Sequence, residues 1–227
     1  MRILALDTAT PACSTALLTD DKAIAREIET ERGHAEHILA MIDAVLIEGG
    51  IGLKDVDALA FGRGPGAFTG VRLATSVAQG LAFGAELPVV PVSDLAAVAQ
   101  RVFDQDARLQ HVLVCNDARM QEVYWACFDR GARGLAHLSG VEHVSGIAGI
   151  ALPEPWRGCV GGGGRGFRVY PEIGTAMNLT GIWDELLPRA VDIARLAWPE
   201  VLAGRTCGAA EAIPVYLRDD VTRTSRN

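Results

Sequence analysis

Gly62-Arg63-Gly64-Pro65-Gly66-Ala67-Phe68-Thr69-Gly70-Val71-Arg72 is the stretch from which the rest of this sequence is best read. Gly62, Gly64, Gly66 and Gly70 fall within nine residues, and glycine lets other backbone segments approach closely and permits positive φ. Upstream, 56–61 reads as a buried strand; downstream, the apolar pattern over about 69–86 reads as a long helix. A strand, a glycine loop and a helix in that order invite a phosphate cradle, because helix N-terminal amides favour anions. The P-loop pattern G-x-x-x-x-G-K-[ST] is absent, however. Gly64, Gly66 and Gly70 give G-x-G-x-x-x-G, one residue longer than the dinucleotide spacing. An anion cradle, a tight structural turn and a partner-docking loop all stand as readings.

The helix after the loop carries small residues every four positions. Gly70, Ala74, Ala78 and Ala82 form one row, and Ser76, Gly80 and Gly84 another. A glycine inside a helix costs about 1 kcal/mol relative to alanine, while a smooth row lets a second helix come close. That second helix belongs either to the same chain or to a partner.

Moving outward, 2–7 reads as a strand ending at Asp7, and 13–19 and 22–30 as a hairpin around Asp20-Asp21. Ile38, Met41, Ile42, Val45 and Leu46 repeat with helical period, and Gly49, Gly50 and Gly52 stop that helix. Pro88 and Pro91 bracket a short strand, and Ser93 with Asp94 begins a helix running through Phe103. The second half opens with a strand over 111–115, the turn Asn116-Asp117 and a partner strand over 121–128. Between 131 and 188 glycine, proline and tryptophan leave only short strands, before a last helix over 188–203 stopped by Gly204. Strand, acidic turn, strand thus occurs twice, at Asp7 and Asp117. The expectation is an α/β protein with mixed sheets flanked by helices, in two related subdomains, 1–105 and 106–227.

Composition narrows the function. The 227 residues are 49% hydrophobic and 22% charged, as in an ordinary folded protein. The net charge is −7. Without a basic run, the chain is not expected to grip nucleic acid itself, because phosphate neutralisation supplies most of that affinity. Arg218, Arg223 and Arg226 alternate with Asp219 and Asp220, which reads as a solvated tail. A mean hydropathy of +0.20 raises the expectation of an apolar contact surface. Five scattered cysteines without a C-x-x-C pair fit reduced thiols. The opening MRILALD has no leader pattern and no run approaches a membrane span, so a cytoplasmic protein is expected.

Candidate chemistry is sparse. His34-Ala35-Glu36-His37 departs from H-E-x-x-H and has no evident third ligand, so it reads as a helix start or interface, with no metal site. Neither a Ser-His-Asp nor a Cys-His order stands out, and no catalytic residue is assigned to a peptidase. Asp7 and Thr8, and Asp117 across the chain, occupy turns that in actin-like ATPases and sugar kinases hold Mg²⁺ and phosphates. Ala9 and Ala118 stand where glycine would admit phosphate. With Gly161 and Gly162 on the nucleoside side, the set reads as a vestigial nucleotide cleft.

At these residues the sequence resembles the TsaB (YeaZ) family of bacterial tRNA threonylcarbamoyladenosine biosynthesis proteins. Residues 2–10 resemble the family's opening, and 62–72 its G-R-G-P-G-S-F-T-G-x-R signature, with Ala67 in place of serine. Gln79-Gly80-Leu81-Ala82, Asp117-Ala118-Arg119-Met120, Glu122-Val123-Tyr124 and Pro214-Val215-Tyr216-Leu217-Arg218 also match. The resemblance implies an actin-like (ASKHA) fold and a scaffold without catalysis of its own. Its partner would be TsaD, which transfers threonylcarbamoyl to adenosine 37 of tRNA, with the ATPase TsaE joining the complex. It places the docking face, for TsaD or for a homodimer, on the first two helices. These carry His34, His37, Ile38, Met41, Ile42 and Val45, then Gly70, Arg72, Ala74, Ser76, Val77, Gly80, Leu81 and Gly84. No cofactor is implied for this chain beyond ATP or ADP at the junction with TsaD. A free-standing ATPase or phosphotransferase using Asp7 and Asp117 is the alternative.

Overall fold

In the computed structural model, residues 1–218 are described except 21, 31, 155, 157 and 158. The tail residues Asp219, Asp220, Arg223 and Arg226, and Asp21 of the first hairpin turn, lie outside the described residues. The first half runs β1 (Arg2–Asp7), β2 (Ala12–Thr19), β3 (Ala23–Glu29), α1 (His34–Gly49), β4 (Ala58–Gly62), α2 (Phe68–Ala85), β5 (Val89–Val92) and α3 (Asp94–Gln105). The second runs β6 (His111–Asp117), β7 (Glu122–Arg130), β8 (Ala136–Gly146), β9 (Val160–Gly163), α4 (Gly166–Val169), α5 (Glu172–Ala176), β10 (Gly181–Trp183) and α6 (Ala190–Leu202).

The two halves repeat one topology. The first sheet has the order β3-β2-β1-β4-β5 and the second, read from its edge, β8-β7-β6-β9-β10. In each, the first three strands are antiparallel and the last two join in parallel. This duplicated mixed sheet is the actin-like architecture expected from the sequence.

Strand alternation sends side chains to opposite faces. On the first sheet, Leu4, Leu6, Leu17, Leu59 and Phe61 meet α1 and α2, while Ile3, Ala5, Ala16, Ala60 and Val90 meet α6. The second sheet turns Val112, Val114, Ala126 and Phe128 toward α3, and Leu113, Cys115, Trp125 and Cys127 toward α4 and α5. The layers are therefore α1 and α2, first sheet, α6 and α3, second sheet, then α4 and α5. Local signals set several boundaries. Ser93 caps α3, its hydroxyl accepting from the Ala96 N–H at 3.1 Å. Gly50 ends α1 in the left-handed region, its N–H reaching the Leu46 and Ile47 carbonyls.

The structure departs from expectation in two places. First, β8 is an eleven-residue strand where only short ones were expected. Its pattern is broken because Gly140, Val141 and Glu142 together oppose Ala126, a bulge that interrupts alternation. Second, the segment 106–227 does not stay with the second sheet. Its helix α6 crosses back to cover the first, and Cys207 pairs with Val89 beside β5.

Candidate functional site

The glycine loop is packed, not open. A Cβ at Gly66 would overlap the Ala9 carbonyl oxygen, and one at Gly70 would overlap that of Thr8. The Ala67 N–H donates to the Ala9 carbonyl at 2.7 Å, and the Thr8 hydroxyl donates to the Gly70 carbonyl at 2.7 Å. The signature therefore lies directly on the β1–β2 turn, its glycines required by the close approach of two backbones. Of the three readings of this loop, the tight structural turn is the one these contacts describe.

Beneath the loop sits an acid pair that sequence reasoning missed. Asp7 and Asp94 are both fully buried. Asp7 Oδ1 accepts from the Ala9 N–H at 2.9 Å, and Asp94 Oδ2 from the Gly64 N–H at 2.5 Å. Gly62 lies against both carboxyls, with Asp7 Oδ1 2.5 Å from where its Cβ would be. Burial pushes the Asp7 carboxyl up to about 6 and raises Asp94 well above the usual carboxylate range, the neighbouring Asp7 charge adding to the latter. Among the described residues Asp7 Oδ2 and Asp94 Oδ1 have no hydrogen-bond partner, and two adjacent buried carboxyls favour keeping a proton between them over ionising both. Asp94 was read as part of the α3 start. Its neighbour Ser93 makes that cap, which leaves Asp94 to point inward.

The second turn is built differently. Asp117 is half-buried, its Oδ1 accepting from the Arg119 N–H at 2.9 Å. Arg119, Met120 and Gln121 take left-handed backbone in succession. Gly161 and Gly162, expected beside a nucleoside, are instead covered. A Cβ on Gly161 would meet Leu109, Trp183 and Val102, and one on Gly162 would meet Leu179 and Phe167. They are flat places in the core, there to admit aromatic and aliphatic side chains. With Asp7 buried and the first turn roofed by Gly66 and Gly70, these residues do not fit a nucleotide.

His34 and three of the cysteines are held within the fold. The His34 Nε2 lies 2.9 Å from the Thr10 carbonyl and anchors α1 to the first turn, while His37 is exposed. Among the described residues, no three His, Cys, Asp or Glu side chains gather as a metal site would require. Burial pushes the thiols of Cys13 and Cys127 up to about 11 and 12 and raises Cys115 well above its usual value, the reverse of what a nucleophile needs.

What α1 and α2 show to solvent is only partly what periodicity selected. Ile38, Ile42, Val45 and Ala74 are buried on their own sheet, and Met41, Val77 and Leu81 pack against that core. The expectation that this stripe faces a partner is corrected, because it faces home. Gly70 is likewise held under Thr8. Arg72, Ser76, Gly80 and Gly84 are exposed, and no described residue lies within 4 Å of a Cβ at Gly80 or Gly84. Exposed apolar residues that sequence reasoning missed are Phe83 beside them on α2 (82% exposed) and, on α1, Ile47 (78%) and Leu39 (53%). The signal for them was their place opposite the buried stripe.

At the head of α2 the Arg72 guanidinium stacks 3.7 Å over Phe68, and its Nε donates to the Tyr216 hydroxyl at 2.8 Å. Tyr216 belongs to a C-terminal strap. The Gln79 amide donates to the Ala212 carbonyl, the Val215 N–H donates to the Arg63 carbonyl, and Arg218 reaches Ala118 and Glu122 of the second hairpin.

Fold and site together define an actin-like protein whose first turn is filled by its own backbone and whose helix α2 exposes a row of small residues. Residues 26–155 match the family model described as TsaD, tRNA N6-adenosine threonylcarbamoyltransferase. Over 97% of its length the chain is 41% identical to the tRNA threonylcarbamoyladenosine biosynthesis protein TsaB of Escherichia coli, covering 96% of that protein. The Haemophilus influenzae protein of the same name is 41% identical over 98% of this chain and 95% of its own length. Among solved structures, YeaZ from Pseudomonas aeruginosa superposes with a TM-score of 0.85 at 40% identity, covering 95% of this chain and 99% of the other. The chain belongs to the TsaB family.

Proposed function

We propose that this chain is a non-catalytic scaffold in tRNA threonylcarbamoyladenosine formation, docking through α1 and α2 onto TsaD with TsaE completing the complex. The observation that carries the reading is the open row Ser76, Gly80 and Gly84, with Phe83 beside it. Two interior glycines weaken a helix, and among the described residues no contact uses the space they leave. A helix of a partner does. In this reading a second copy takes the same face when TsaD is absent. The chain needs no cofactor of its own, and ATP or ADP belongs to the junction with TsaD. The net charge of −7 leaves tRNA to the partner, in the cytoplasm. No helix among the described residues is long and apolar enough to cross a membrane.

The test is capture of TsaD by Gly80→Leu, with a thermal melt of the isolated variant. Loss of capture with an unchanged or higher melting temperature is expected. Undiminished capture overturns the docking face. The alternative, an ATPase using Asp7 and Asp117, has the burial of Asp7 against it. Tight Mg-ATP binding by the isolated chain, lost in Asp7→Ala, is the result that reinstates it.

A further inference from the structure

We propose that three arginine–glutamate ties lock the two subdomains together, doing with side chains what a bound nucleotide does across a working actin-like cleft. Arg165, ahead of α4, has its Nη2 2.6 Å from Glu29 Oε1 at the end of β3. Arg63 of the glycine loop reaches Glu142 at 3.0 Å, and the Ser93 hydroxyl donates to the same carboxylate. Arg218 of the strap pairs with Glu122 and donates to the Ala118 carbonyl at 3.1 Å. Each tie joins a part fixed to the first sheet to a part of the second. Their anchor points run from the β9 side through the β6–β7 turn to the edge strand β8, so they span the breadth of the second sheet.

Two features mark the ties as built. The bulge in β8 is what aims Glu142 inward, and re-aiming a side chain is a characteristic use of a bulge. Glu142 is 6% exposed and Arg63 21%, so that pair is shielded from the screening that weakens surface pairs. Arg218, for its part, holds a turn in which three successive residues are left-handed. Meanwhile the place where phosphates would draw the halves together is filled by Gly66 and Gly70 against Thr8 and Ala9. The cleft has become a fixed joint.

Hydrogen exchange followed by mass spectrometry on the full chain tests this, with and without Mg-ADP and Mg-AMP-PNP. The readout is exchange in the two turns, 8–12 and 117–122. Neither nucleotide is expected to slow it in the unmodified chain. Arg63→Glu is expected to speed it at least tenfold with α1 and β1 unchanged, and adding Glu142→Arg to bring it back toward wild type. Because Arg63→Glu sits in a packed loop, Glu29→Gln combined with Arg218→Ala, on the more exposed ties, gives a second path to the same speeding. The proposal is overturned if either nucleotide slows both turns in the unmodified chain. It is equally overturned if the tie variants exchange as wild type or speed all segments alike, or if the swap restores nothing. It stands apart from the docking reading, since Gly80→Leu leaves all three ties in place.

Discussion

The two sheets share strand order and direction, yet what lies on them differs. The first carries helices of 16, 18 and 13 residues, whereas the outer face of the second has helices of 4 and 5. A long helix that packs one stripe on a sheet has a whole face left over, and a single turn has none. The first half thus keeps broad solvent-facing helix faces that the outer side of the second half lacks. The first turns differ in the same sense. That at Asp7 is jammed by glycine from within, and that at Asp117 is held from outside by Arg218.

Three experiments break or sharpen this contrast. The largest effect is expected at the jammed turn. Gly70→Ala forces a Cβ into the Thr8 carbonyl and is expected to cost on the order of 3 kcal/mol or more in urea unfolding. Gly140→Ala, in the second sheet's bulge with open space but φ +92, is expected to cost about 1 kcal/mol. Equal costs remove the distinction between the packed glycine loop of the first half and the open bulge of the second.

The second experiment concerns the acid pair, which the second subdomain lacks among its described residues. The folded state holds Asp7 neutral up to about pH 6, against 3.8 unfolded, chiefly through burial. The fold therefore binds more protons than the unfolded chain in that window, and stability falls as pH rises through it. The loss is on the order of 1–3 kcal/mol. Asn at position 94 can accept from Gly64 and donate to Asp7 without a shared proton. Asp94→Asn should melt like wild type near pH 5 and higher than wild type at pH 8 in thermal scans. A slope as steep as wild type's shows that the pair is not its source.

The smallest effect has the opposite sign. The double variant Gly80→Ala, Gly84→Ala should stabilise the isolated chain by about 1–2 kcal/mol, because both positions are open and helical. Gly161→Ala in the second half meets Leu109 and Trp183 and should destabilise it. If the α2 pair also destabilises, the row has a structural role within the monomer.

Much of the first half was legible because its signals are local. The short apolar run of β1, the Asp20-Asp21 turn of the first hairpin, the Ser93 cap and the glycine stops of α1 each concern neighbours within a few residues. The strand β8 was hidden because its bulge breaks the alternation, and α4 and α5 are too short to show a period. Periodicity found the apolar stripe of α1 correctly but does not say which body covers it. Ile38 and Val45 went to the core, and Leu39 and Ile47 were left outside. The acid pair and the Arg63–Glu142 tie join residues 87 and 79 apart, a relation that no local pattern carries.

The return of α6 also bears on how the molecule is made. During synthesis the first sheet emerges early, but Ile3, Ala5, Ala16, Ala60 and Val90 have no cover until 190–202 have left the ribosome. Contacts so distant in sequence form late, and an apolar sheet face left waiting is prone to aggregation. The nascent chain is therefore at its most vulnerable until 190–202 have emerged, and a chain stopped before 190 carries α1 and α2 on a sheet that lacks its other side.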